Sequence, residues 1–375
     1  MSASPLRLLM VTPTAVPGGQ EDILFSLAVC LPRFDVAAEV ISLHDGPLVE
    51  RLQAAGVEVK VMEAGRLRQP SHFIKTGRAL RMAMSHGGFD AVYSNMPKAH
   101  LYVAWAARRR RLPTLWCQAG YPEPPRWLDR LATALPADTI IAESRDAVAA
   151  QARIAPARSI TLMHPGIDVA RFTPRSDPDL RRAHGIPLDA PLVSIVGRLQ
   201  PWKGQRQFLE AAALVARTHP NTHFAVVGGA ILGWEGDYPD ELKRLAGGLG
   251  VHERTVFTGH TTEAARWMAA SDIVVNASHP EPFGLVVVEA MASGCAVVAV
   301  AKGGPRDVIE DGHSGLLCPS REPRVLAEAI LRLLNSDELR AGLGRAAREE
   351  VQSRFTREAM AGRFAGILRA TIAAA

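Results

Sequence analysis

Short apolar runs separated by longer stretches of helical spacing recur along the whole chain. In the first half they fall at 6–11, 40–43, 57–61, 91–94, 114–117, 140–142 and 160–163, and in the second at 192–196, 224–227, 256–257, 273–275, 296–300 and 316–317. Each run is short enough for a strand, and the regular alternation with helical pattern predicts α/β domains built on parallel sheets. Residues 164–191 break the pattern: they are rich in Pro and Asp and carry no periodicity, as expected of a connection between domains.

With 375 residues, the chain exceeds one ordinary core, so two domains are expected. The division is expected near residue 185, giving a first domain at 1–185 and a second at 186–355. The tail, 356–375, is expected to form a helix that packs back on the first domain. Two such domains would enclose a cleft between the carboxyl ends of their sheets.

Composition adds limits. Hydrophobic residues make up 47% and charged residues 22%, as in globular proteins. No apolar run approaches the roughly 18–20 residues of a membrane span, and residues 1–9 lack a secretory apolar core, so a soluble cytoplasmic protein is expected. Cys30, Cys117, Cys295 and Cys318 are far apart in sequence and read as buried free thiols rather than a disulfide frame or zinc site. A net charge of +5 favours anionic ligands or surfaces. The dense basic run Arg108 to Arg111 reads as a solvated helix end, or as a contact with an anionic membrane or phosphorylated acceptor. Nucleic acid is not expected as a partner.

The candidate chemistry sits at the ends of predicted strands, where α/β sheets bind ligands. Glu281-Pro-Phe-Gly-Leu-Val-Val-Val-Glu289 puts two carboxylates eight positions apart across a loop and a helix start. Carboxylates can meet sugar hydroxyls, and the first N–H groups of the helix can meet an anion. Gly197-Arg198-Leu199 and Lys203-Gly204 place two cations on one loop, suited to clamping a diphosphate. Pro17-Gly18-Gly19 precedes a helical run, where glycine permits close approach to a phosphate; it is neither a dinucleotide fingerprint nor a P-loop. Val227-Gly228-Gly229 and Phe257-Thr258-Gly259-His260-Thr261 are further strand-end loops able to read a base. Asp237 and Asp240 read as a turn, and no metal site is expected.

Taken in order, Gly197-Arg198-Leu199 with Lys203-Gly204, Glu281-Pro-Phe-Gly-Leu with Glu289-Ala-Met-Ala, and Gly303-Gly304 resemble the GT-B glycosyltransferases, and within them the large retaining group called family 4. Weaker matches at Gly18-Gly19 and at Pro165-Gly-Ile-Asp168 with Phe172 and Pro174 extend the resemblance over most of the chain. It implies two Rossmann-like domains with parallel sheets facing a central cleft, the first on the acceptor side and the second binding a nucleotide sugar. It implies that Arg198 and Lys203 bind the donor diphosphate and stabilise it as leaving group, that Glu281 stands beside the donor sugar, and that Pro282, Phe283, Gly284 and Leu285 contact it. By the same resemblance Glu289 binds the ribose, His260 and Thr261 lie in the base-binding loop, and Gly18 and Gly19 meet the diphosphate. The implied reaction is metal-independent, needs no cofactor beyond the sugar nucleotide as co-substrate, and retains the anomeric configuration. UDP-sugar is the favoured donor and GDP-mannose the next. The acceptor is expected to be a hydroxyl-bearing small metabolite, or an envelope glycan or lipid reached by peripheral contact at the inner membrane face.

Two departures stand out. Relatives carry a histidine near Ala119, and they carry Glu where this chain has Asp307. Candidates on the acceptor side are therefore Asn95, His100, Gln118, Ala119 and Tyr121, with Tyr121 to Trp127 read as lining the acceptor pocket. Two alternatives remain at this stage: a catalytically weakened sugar-nucleotide-binding protein, motivated by Ala119, and a non-hydrolysing nucleotide-sugar epimerase, which would need further carboxylates and histidines in both domains.

Overall fold

A computed structural model describes residues 4–65, 67, 69–107, 112–155, 157, 159–230 and 236–375. The chain forms two compact units, one from residues up to 167 together with 357–375, the other from 168–356.

The first unit holds a seven-stranded parallel sheet. Its strands are β1 (Leu6–Thr12), β2 (Val36–Ser42), β3 (Glu58–Val61), β4 (Ala91–Asn95), β5 (Thr114–Gln118), β6 (Thr139–Ala142) and β7 (Ile160–Leu162), in the order β3-β2-β1-β4-β5-β6-β7. β4 and β5 are buried at every position, which is why they read as continuous apolar runs. β2 begins four residues before the expected run. Val36 pairs in register with Leu6, and the polar Glu39 lies within the strand because Arg7 on β1 pairs with its carboxylate.

The helix Arg357–Ala374 belongs to this unit. Phe364 meets the ring of Tyr93 edge-on at 5.1 Å, and the Thr371 and Thr139 hydroxyls are 2.7 Å apart. Met360, Ala361, Phe364, Ala365 and Leu368 are all fully buried.

The second unit holds a six-stranded parallel sheet of β8 (Leu192–Val196), β9 (His223–Val227), β10 (Thr255–Phe257), β11 (Ile273–Asn276), β12 (Ala296–Val300) and β13 (Leu316–Cys318), ordered β10-β9-β8-β11-β12-β13. Its core packs Phe208, Leu209 and Val215 of one helix, and Leu326, Ile330 and Leu333 of another, against the sheet. The expected boundary near 185 falls inside this unit, because 168–191 is tied to it. Asp177 pairs with Arg266, Arg181 pairs with Asp272, and the carbonyl of Phe172 accepts from Arg348. Long-range pairing of this kind leaves no mark on local periodicity.

All four cysteines are buried. No helix among the described residues is long and apolar enough to cross a membrane. The Arg108–Arg111 run lies outside the described residues.

Candidate active site

The strand order of the second sheet reverses direction between β8 and β11: β9 and β10 follow on one side, β12 and β13 on the other. The loops leaving β8 and β11 therefore diverge from neighbouring carboxyl ends, the position where open α/β sheets bind ligands. Arg198 and Lys203 ride on the first loop and Glu281 on the second.

The two loops are held against each other by backbone contacts. Gly204, at φ 80°, ends the short helical turn Pro201–Lys203 and opens the helix Gln205–Thr218. A Cβ there would stand 2.3 Å from the carbonyl oxygen of Ala277, so only glycine allows the approach. The amide of His279 then donates to the carbonyl of Trp202 at 3.0 Å. On the other side of Glu281 its carbonyl accepts from Gly304 N–H at 2.9 Å, and its own N–H donates to Lys302. A Cβ on Gly303, at φ 85°, would stand 1.9 Å from that carbonyl.

This frame brings Lys203 Nζ to 2.7 Å from Glu281 Oε2. The pair is largely shielded, with the Lys203 side chain 15% and the Glu281 side chain 8% exposed. Asn276, the last residue of β11, donates to the same carboxylate oxygen at 3.2 Å. Lys203 Nζ also lies 4.1 Å from the centre of the Trp202 ring, a distance suited to cation–π attraction. Asn276 and Trp202 escaped sequence reasoning. The signal for each was position alone, at a strand end and in the cation loop.

Arg198 is exposed, and its carbonyl accepts from the Gln205 side chain at 2.8 Å, which fixes the loop while leaving the guanidinium outward. Phe283 is buried against Phe355, with ring centres 6.0 Å apart, so its ring anchors the loop and only its backbone is left for a ligand. Gly284 begins the helix Leu285–Ala292, which no side chain caps. Its first N–H groups can therefore serve an anion or a sugar hydroxyl. Leu285 and Glu289 are half-buried one turn apart on this helix, and Pro282 is half-buried just before it.

Gly228 joins Gly259 in an antiparallel bridge, and Gly228 N–H donates to Thr258 Oγ1 at 3.0 Å. His260 is exposed beside them. Thr261 Oγ1 accepts from Glu263 N–H at 3.0 Å, so this hydroxyl braces its own turn. His279 is disfavoured as a cation, first by burial and then by the nearby charges of Arg321 and Lys302. Among the described residues no group of three or more His, Cys, Asp or Glu is placed to hold a metal ion.

In the first unit the direction reverses between β1 and β4. Gly18 and the exposed Gly19 lie after β1 at the start of the helix Gly19–Cys30, which also lacks a side-chain cap. Asn95, the last residue of β4, donates to the Gln20 carbonyl at 3.3 Å, and the Gln20 amide donates to Glu143 at 2.6 Å. Gln118, at the end of β5, donates to Asp129 at 3.1 Å. The Oε1 atoms of Gln20 and Gln118 are buried without a hydrogen-bond partner among the described residues. Each is an acceptor suited to a ligand hydroxyl. Ala119 and Tyr121 are half-buried next in the chain, with Tyr121 O–H donating to Glu123 at 3.2 Å.

His100 is fully buried, stacked on Trp116 at 4.8 Å and 11°, with Nδ1 3.1 Å from Ser94 Oγ. Trp127 is 66% exposed at the start of the helix Trp127–Ala134.

The family described as Glycosyl transferases group 1 matches residues 176–350, and that described as Glycosyltransferase Family 4 matches 17–171. A D-inositol 3-phosphate glycosyltransferase of Nocardioides sp. is 30% identical over 380 residues, covering 90% of this chain and 82% of that protein. Its counterpart in Geodermatophilus obscurus is 33% identical over 340 residues, covering 81% and 74%. Among solved structures, Anabaena Alr3699/HepE in complex with UDP and glucose superposes with a TM-score of 0.85 at 28% identity, covering 97% of this chain and 100% of that one. A glycosyltransferase from Rickettsia africae shares the fold, with a TM-score of 0.85 at 18% identity over 99% of both chains.

Proposed function

Because this chain belongs to the group 1, family 4 glycosyltransferases of GT-B fold, we propose that it moves a hexose from a UDP-sugar to an acceptor hydroxyl, retaining the anomeric configuration and using no metal ion. The carrying observation is the pairing of Lys203 with Glu281 at the reversal point of the second sheet. It sets a cation for the leaving phosphate and a carboxylate for the sugar within one hydrogen bond of each other.

In this reading the bond from the anomeric carbon to the β-phosphate oxygen breaks, and negative charge gathers on the departing diphosphate. Arg198, Lys203 and the uncapped start of the helix 285–292 stabilise that charge as it develops. The acceptor oxygen forms its bond on the same face of the sugar, and its proton passes to the departing phosphate oxygen. Glu281, held by Asn276, orients sugar hydroxyls and offsets positive charge at the anomeric carbon. Glu289 binds the ribose, and the 258–261 loop reads the base. UDP is favoured as the donor nucleotide because Anabaena Alr3699/HepE was crystallised with it. The relatives named for D-inositol 3-phosphate make a phosphorylated polyol the first acceptor to assay.

The test is calorimetric titration of UDP, GDP and ADP without added metal, followed by turnover of the matching glucose and mannose nucleotides with NMR assignment of the product anomer. Preferred binding of UDP and an anomer matching that of the donor are expected. Binding that appears only with a divalent ion, or an inverted product, would overturn the reading.

A further inference from the structure

Lys98 stands three residues beyond the carboxyl end of β4, in the first turn of the helix Met96–Ala107, and His44 two residues beyond the carboxyl end of β2. β1 lies between those two strands in the sheet, so strand spacing separates them by about 10 Å. The Lys98 side chain bridges that gap over the end of β1, with Nζ 3.4 Å from His44 Nε2. On its other side the imidazole presents Nδ1 to Glu63 Oε2 at 3.3 Å, and Glu63 Oε1 accepts from the Asp45 N–H at 3.2 Å. With a carboxylate facing Nδ1, that nitrogen holds the ring proton and Nε2 accepts from the ammonium. The loop carrying His44 is in turn tied to the one leaving β1, because the Leu48 N–H donates to the Ala15 carbonyl at 3.1 Å. The ammonium is thus fixed at the reversal point of the first sheet, beside the loop that runs on to Gly18.

Its surroundings leave this charge uncompensated. Lys98 is half-buried, and burial pushes its pKa down with no carboxylate to offset the effect. Among the described residues its hydrogen-bond partner is the Nε2 lone pair of His44, which takes one of the three N–H groups of an ammonium. The helix Met96–Ala107 has no acidic residue in its first turn, where the helix dipole disfavours a cation and favours an anion. A lysine on an open surface would swing into water, whereas this one is held in place through His44 and Glu63.

A compact anion relieves each of these strains. Two N–H groups of the ammonium remain to donate to it, and a lysine meets phosphate as a point charge. The neighbouring strand-end groups Asn95 and Gln118 are uncharged and suited to hydroxyls. β1, β4 and β5 are adjacent, so the span from the ammonium to Gln118 is about 10 Å, the reach of one phosphorylated ring with a hydrogen bond at each end. We propose that Lys98, held by His44, is an anion subsite of the first unit that takes a phosphate monoester carried by the acceptor, whose hydroxyls turn toward Asn95 and Gln118. The assignment rests on the reading of the first unit as the acceptor side. It narrows the acceptor to a small anionic polyol, since an uncharged glycan would leave the ammonium as it stands.

The test acetylates the full chain with an N-hydroxysuccinimide ester and follows each lysine peptide by mass spectrometry. Inositol monophosphate should slow acetylation of Lys98 about tenfold, while the exposed Lys75 and Lys243 react as before and inositol itself protects nothing. In calorimetric titration, Lys98→Met should bind inositol monophosphate about 10- to 100-fold more weakly than the parent. His44→Ala, which frees the ammonium, should bind it about threefold more weakly. Unchanged UDP affinity in both variants verifies that the fold is intact. Labelling of Lys98 as fast with inositol monophosphate as with sodium chloride overturns the subsite. Protection by inorganic phosphate as strong as by inositol monophosphate overturns its assignment to an acceptor and marks a site for free phosphate. A loss of UDP affinity in Lys98→Met equal to its loss of inositol monophosphate affinity also overturns it, by placing the cation on the donor. Every readout is binding, so a chain that transferred no hexose would fail the proposed activity and leave these outcomes to decide the subsite.

Discussion

Replacing Lys203 by Met removes one half of the shielded pair and leaves the Glu281 carboxylate with Asn276 as its remaining side-chain donor among the described contacts. Breaking a fully buried pair from one side costs about 3–5 kcal/mol. Lys203 retains 15% exposure, and water can reach the vacated site, which brings the expectation down to about 2 kcal/mol. Glu281→Gln should cost less, about 1 kcal/mol, because the ammonium keeps solvent and the Trp202 ring at 4.1 Å. If the contact is responsible, the double variant should lose less than the sum of the two, with a coupling of about 1.5 kcal/mol. Calorimetric melting of the full chain measures this in the transition that UDP raises, since the two units need not unfold as one. At about 2–4 °C per kcal/mol, Lys203→Met should lower that transition by about 4–8 °C. The same variant should lose about 10- to 100-fold in UDP affinity while uridine binding is nearly unchanged, as befits loss of a charge-assisted phosphate contact. Additive single effects in melting, or equal losses for UDP and uridine, would refute the argument.

Four further outcomes are expected. Arg198→Ala should lower kcat by about 10²–10³-fold if the guanidinium meets charge that develops on the leaving group; an effect confined to KM would contradict this. Gly204→Ala, forced to φ 80° with its methyl 2.3 Å from the Ala277 oxygen, should cost more than about 1 kcal/mol and weaken UDP binding; parent-like affinity would show that the loop approach is dispensable. The Arg266 guanidinium, hydrogen-bonded to Asp177, holds that carboxyl below its usual range. Its stabilisation should be complete above the unfolded carboxyl value near about 3.9 and be lost as pH falls through the lower folded value. Asp177→Asn should flatten that acid limb in a melting-versus-pH series, and an unaltered limb would exclude the pair. Burial pushes the Cys295 thiol up to about 12 and the Cys318 thiol up to about 11, so a thiolate reagent at neutral pH should label neither until the chain is unfolded; rapid native labelling of either would contradict their burial.

Much of this was legible in sequence for identifiable reasons. The central strands are covered on both faces and so appear as unbroken apolar runs, as Ala296–Val300 does with every position buried. The cations and carboxylates stood out because strand ends place them in loops with glycine on either side. What stayed hidden depends on partners distant in sequence. Nothing near Lys203 announces that Glu281 lies within a hydrogen bond, and nothing near His100 announces the Trp116 ring beneath it. The boundary was displaced for the same cause: the aperiodic 168–191 segment owes its place to Arg266, Asp272 and Arg348.

The helix Arg357–Ala374 follows the whole of the second unit in sequence, yet Met360, Phe364 and Leu368 complete the core of the unit whose sheet precedes it. During translation the apolar surface around Tyr93 must therefore wait while all of 168–356 is made, an interval on the order of 10–40 s at about 5–20 residues per second. Over that time the nascent first unit offers an open hydrophobic seat, and a chain cut short after residue 356 would carry it permanently.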